Sequence, residues 1–174
     1  FSNNSFLYRI RTKFYNRLGI ILSSCCLIFS LACGDDDEFD PPLEGDELSI
    51  AEISGSWIST FVGFQDIDVP QGQEENIDYS ALGATVTLNI ENNGRFTSRF
   101  SLPQGSVVDL SGQMGFNGLW LAILLDSDSP GDEAQWNITL DTEGTLMLSG
   151  EIELDFDEDG TDDVGFVGLR MERQ

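Results

Sequence analysis

The chain has 174 residues, a formal charge of −23 and no histidine. Acidity on this scale argues against nucleic acid as a partner, because affinity there comes from Lys and Arg neutralising phosphates. It also disfavours direct adsorption to anionic lipid, and the three cysteines, Cys25, Cys26 and Cys33, all lie too near the N-terminus to staple a domain.

Residues 1–32 read as a leader. Arg9, Arg11, Lys13 and Arg17 precede an uncharged apolar stretch from Leu18 to Ala32. A basic region, a short apolar region and small residues at a cleavage point make a secretory signal. The stretch covers 15 residues, short of the roughly 20 a membrane-spanning helix needs. Ser30-Leu31-Ala32-Cys33 resembles the cleavage box of the type II signal of bacterial lipoproteins. That resemblance implies lipidation of Cys33, which becomes the first residue of the mature chain. A rival box, Leu22-Ser23-Ser24-Cys25, would leave the greasy segment Leu27 to Leu31 on the mature end, so Cys33 is preferred. Gly34 follows the cysteine, so the Asp that retains enterobacterial lipoproteins at the inner membrane is missing there. The run Asp35-Asp36-Asp37-Glu38 resembles the surface-export signals of Bacteroidota lipoproteins. The resemblance implies a lipid-anchored protein of the outer membrane, on its periplasmic or cell-surface face. Processing would remove all four basic residues of the leader and no acid, taking the formal charge from −23 to −27.

Residues 33–47 carry the lipidated cysteine and an acidic segment that the composition predicts to be a disordered tether. Residues 48–174 are long enough for one domain with a real core. Val86, Leu88 and Ile90 alternate with polar neighbours, and Phe96, Phe100 and Leu102 do the same after an Asn92-Asn93-Gly94 turn. The pattern predicts eight strands: 54–64, 84–91, 95–102, 107–115, 118–125, 134–141, 145–156 and 163–172. Gly112, Gly115 and Gly118 read as bulge or bend positions. No stretch outside the leader has helical periodicity. Short strands joined by Gly-bearing turns predict an all-β, antiparallel up-and-down barrel of eight strands. Only the first connection, 65–83, is long.

Gly55-Ser56-Trp57 on the first strand resembles the Gly-x-Trp motif of lipocalins and lipocalin-like bacterial lipoproteins. In that family the Trp plugs the closed end of the barrel under an Arg from the last strand. The resemblance implies the structural trio Gly55, Trp57 and Arg170, and a lid role for loop 65–83. A sandwich or another small barrel, with Trp57 as an ordinary core aromatic, fits the same strands.

Asp155-x-Asp157-x-Asp159-Gly160-x-x-Asp163 has the oxygen spacing of a Ca²⁺ loop, with the Thr161 carbonyl as a further ligand. Position 12 is Phe166, so the bidentate Glu of an EF-hand is missing. An acidic, solvated turn is the plain alternative. Catalysis has little support, because the mature chain lacks His, Lys and a free Cys. No catalytic residue is assigned, and the expectation is a non-enzyme. The leading expectation is a lipid-anchored binding module whose barrel holds a small apolar ligand. Ile67, Val69, Ile77, Tyr79 and Leu82 would line its mouth. The alternative is a non-catalytic structural or interaction subunit of an envelope complex. Its barrel would be filled by Phe96, Phe100, Trp120 and Trp136. Calcium is the one cofactor expected; protein partners are left open.

Overall fold

Side chains that alternate apolar and polar bury one face of a strand and expose the other. The burial of β3 (Thr85–Ile90) and β4 (Arg95–Ser101) follows that alternation, with Val86, Leu88, Ile90, Phe96, Ser98 and Phe100 pointing inward. The structure is a computed structural model and describes residues 39–66, 76–155, 160 and 163–174. The leader, Cys33 and the middle of loop 65–83 therefore lie outside the described residues.

The remaining strands are β1 (Gly55–Asp66), β2 (Asn76–Asp78), β5 (Val107–Asn117), β6 (Trp120–Leu125), β7 (Ala134–Leu140), β8 (Leu146–Leu154) and β9 (Asp163–Arg173). β1 and β3 to β9 pair with their neighbours in chain order, all antiparallel, and β9 returns to pair with β1. The result is a closed, eight-stranded up-and-down barrel, the architecture that removes sheet edges. Each of the eight runs expected from the sequence corresponds to one of these strands, with ends within two residues.

Four features depart from expectation. The first is β2, three residues inside the anticipated loop. It pairs with the second half of β1 (Gly63 opposite Asp78), whereas the first half, Gly55 to Ile58, pairs with β3. The second is a bulge: Ser59 faces Met171 and Phe61 faces Arg170, so Thr60 is the extra residue. A single added residue flips every later side chain to the other face. Trp57 points inward before the bulge, Val62 and Phe64 after it, and Phe61 is turned out to 41% exposure.

Third, residues 41–47 are not a free tether. The Phe116 amide donates to Pro42 O at 2.7 Å, and the Ile50 amide to Leu43 O at 2.8 Å. The segment lies along the outside of β5 toward one end of the barrel. There α1 (Ile50–Ile53), a single turn, seals the end with two fully buried isoleucines. One turn is too short to show a period. It is held by Ser49 and Glu52, whose carboxylate accepts from both the Ser49 amide and hydroxyl at 2.8 Å. The Ser49 hydroxyl first, then its amide, hold the Glu52 carboxyl below its ordinary range.

Fourth, Gly112 and Gly115 sit in unbroken register with Leu125 and Ala122, so they are not bulges. A methyl at Gly112 would strike Leu124 O and the Phe96 ring, and one at Gly115 would strike Pro41. These glycines admit close neighbours. Gly118 alone makes the turn, with φ of +64°.

Candidate functional site

The closed end carries the Gly-x-Trp motif. Trp57 is fully buried beneath α1, and its indole N–H donates to Ile53 O at 2.8 Å. A guanidinium lies over its ring at 4.4 Å from the centroid, but it belongs to Arg173, not Arg170. The reason is the alternation of β9: Leu169 and Met171 are buried, so Arg170 faces solvent and residue 173 returns to the inner face. Arg173 also donates to Ser54 O and to Glu52 O, tying the last strand to α1. Gly55 has φ of +127°, and a methyl there would strike the Arg173 guanidinium. The motif glycine is thus required by backbone conformation, while the tip of the Arg173 side chain could shift to admit a methyl. Counting in twos from Met171 would have found Arg173 in the sequence.

Inside the barrel, large rings meet absent side chains. A methyl at Gly150 would fall into the Trp136 indole, and one at Gly165 into the Phe64 ring. Phe96 sits against Gly112 in the same way. Phe64, Phe96, Phe100 and Trp136 are each at most 8% exposed. Trp120, expected among them, is instead on the outer face and 44% exposed, because it pairs with the outward Asn117. At the other end Tyr79 is buried with its ring edge-on to Phe64 at 6.2 Å, while Leu82 is 59% exposed. Ile67 and Val69 lie outside the described residues.

Shallow depressions lie on the outer surface. One, of about 580 Å³, runs over β1, β3, β4 and β5. Its outward rows are Ser56, Asn89, Thr97 and Ser111, then Thr87, Arg99 and Asp109. Arg99 grips Asp109 with two bonds of 2.7 and 2.9 Å. Beside the groove Arg95 grips Asp126 with two of 2.8 Å, and the Ser111 hydroxyl donates to Asp126 at 2.6 Å. Arg95 first and Ser111 second bring the Asp126 carboxyl down to about 2. Asp109 is lowered by Arg99, Asp78 by the Ser80 hydroxyl, and Asp141 by the Thr145 amide. In each case hydrogen bonds favour the ionised form of the carboxyl.

The expected calcium loop joins β8 to β9, with Leu154 opposite Asp163, so it forms the connection of a hairpin. An Asp155 carboxylate oxygen accepts from the Gly160 amide at 3.0 Å. Asp157, Asp159, Thr161 and the side chain of Asp163 lie outside the described residues. Among the described residues no three acidic, His or Cys side chains gather as a metal site would need, and no helix is long and apolar enough to cross a membrane.

Compared with known proteins, the chain matches no family model and no curated sequence.

Proposed function

We propose that this is a lipid-anchored, non-catalytic envelope protein whose barrel is filled and whose outer surface is what other molecules meet. The observation that carries this reading is the interlock of Trp136, Phe64 and Phe96 with Gly150, Gly165 and Gly112. Inward glycines on one strand make room for rings on the next, one way in which a small barrel is filled by its own side chains. Anchoring rests on the leader and Cys33, which would hold the chain firmly once it carries several acyl chains.

A second reading keeps the apolar ligand expected from the sequence. Beyond Ile58 opposite Thr87 the β1–β3 ladder stops, and β2 with Tyr79 covers the seam. Two side-chain bonds bridge it: Ser59 accepts from the Val86 amide at 2.8 Å, and Ser80 from the Val62 amide at 2.9 Å. An apolar molecule would enter there by displacing Tyr79.

One pair of measurements separates these readings. Cys33→Ala should abolish acyl labelling of the chain; label that persists there and vanishes in Cys25→Ala would move the anchor. The unacylated chain should then take up no fatty acid in a saturable way, judged by tryptophan quenching. Saturable uptake at one site would favour the carrier reading over the filled barrel.

A further inference from the structure

A trough of about 400 Å³ crosses the outer face of β2, β1, β9 and β8. Its middle row runs Asp78, Gly63, Gly168, Ser149, each opposite the next on the neighbouring strand. Two phenylalanines wall it from opposite sides of that row. Phe61, on β1, is 41% exposed, and Phe166, on β9, is 48% exposed. From Phe61 to Gln65, which faces Phe166, is four residues, about 13 Å of strand. The Phe61 ring narrows that gap by lying down over Gly63, where a methyl would strike it.

The fold itself asks for neither the wall nor the floor. The Thr60 bulge is what turns Phe61 outward, and bulges recur where a strand re-aims a side chain at a site. Gly168 is not in the left-handed region, and a methyl there would meet nothing within 4 Å. A glycine inside a strand costs stability and often marks the close approach of a ligand.

The lining selects the chemistry. Gln65, Asn76, Asp78 and Ser149 rim the trough, which makes it too polar for an acyl chain. The Asp78 carboxylate is held there by the Ser80 hydroxyl at 2.7 Å and the Ala81 amide at 3.2 Å. Asp78 and Glu151, which faces Phe166, oppose an anion, as does the formal charge of −23. Arg170, which faces Phe61, opposes a cation. A neutral sugar ring meets all of these conditions. Its apolar C–H faces suit the two phenyl rings, and its hydroxyls can donate to Asp78 and exchange hydrogen bonds with the amides and Ser149.

We propose that this trough binds a neutral saccharide, with one pyranose ring lying over Gly168 between Phe61 and Phe166. The proposal deepens the reading that other molecules meet the outer surface, and rests on it.

The chain carrying Cys33→Ala would be offered maltohexaose, cellohexaose, mannohexaose and chitohexaose. Binding would be read by saturation-transfer difference NMR and by calorimetry. The proposal expects saturable binding of at least one of the four, with transfer strongest to ring C–H protons. Gly168→Ala should abolish it at an unchanged or slightly higher Tm, because the methyl fills the floor of the trough and leaves the fold alone. Phe61→Ala and Phe166→Ala should each weaken it about tenfold, the scale of losing an aromatic anchor. No saturable binding of any of the four, or binding that all three variants leave intact, would overturn the proposal and leave the filled barrel standing. Binding that survives Gly168→Ala but vanishes in Trp136→Leu would place the sugar inside the barrel and overturn the outer-surface reading as well.

Discussion

Gly150→Ala puts the filled interior to a direct test. The residue is on β8 with ordinary extended backbone, so alanine is free of strain there. In an open site the change would stabilise by about 0.4–1 kcal/mol, through lost freedom of the unfolded chain. Here the new methyl would land on three atoms of the Trp136 indole. Overpacking of this kind costs about 1–3 kcal/mol, which leaves a net destabilisation of roughly 1–2 kcal/mol, or a Tm lower by roughly 3–10 °C. Gly168→Ala is the control: it is on the adjacent strand, faces outward, and a methyl there meets nothing within 4 Å. It should be neutral or slightly stabilising. Trp136→Leu should cost about 2–4 kcal/mol alone. In that background Gly150→Ala should lose its penalty, a coupling of about 1–3 kcal/mol. Urea unfolding followed by far-ultraviolet circular dichroism reads all four chains. If Gly150→Ala matches Gly168→Ala, there is free space beside Trp136 and the filled-barrel argument fails.

Arg173→Ala should destabilise by about 1 kcal/mol or more, since it removes the cation over Trp57 and two ties to α1, whereas Arg170→Ala should stay within about 0.5 kcal/mol; equal effects in chemical unfolding would reject the assignment. The Asp126 carboxyl titrates near 2 in the folded chain against about 3.9 unfolded. Its stabilising contribution is therefore fully present above pH about 4 and lost as pH falls through about 2. The Tm gap between wild type and Asp126→Asn should close over that window, and a gap that persists at pH 2 would mean the Arg95 pairing is not its source. Calcium at the Asp155–Asp163 loop would show as a Tm gain from millimolar CaCl₂ beyond ionic-strength-matched NaCl, erased by Asp157→Ala. Equal gains from the two salts would assign the effect to screening of the acidic surface.

The barrel was legible because its code is local. A period of two over Val86, Leu88 and Ile90, then Phe96 and Phe100, needs no tertiary information to read. The bulge at Thr60 was not, since one inserted residue in a strand leaves no trace in composition. Residues 41–47 were misread for the opposite reason. Their acids look like tether, and the contacts that hold Pro41, Pro42 and Leu43 are backbone bonds to Phe116 and Ile50 and two bare glycines, Gly115 on β5 and Gly94 in the turn before β4, which carry no label in either segment. The aromatic–glycine interlock was hidden similarly, because Gly150 and Trp136 are meaningful only once β7 lies beside β8. At the closed end Trp57 is buried and Gly55 has a positive φ, and strand alternation shows why the arginine over the ring is Arg173, three places after the one expected.

Joining the first strand to the last also sets the order in which the molecule can be built. Thr60 donates to the carbonyl of Arg170, 110 residues on, and the Gln174 amide to Ser56. Contacts of that separation are reached late, because closing a long loop costs entropy before any pairing repays it. A chain emerging N-terminus first exposes β1 while β9 is still missing, and the edges of β1 and β8 stay unpaired until the eleven residues of β9 arrive. Truncation before Asp163 would leave β1 and β8 with bare edges that invite pairing between chains. Losing β9 would thus exchange closure of the barrel for pairing between chains.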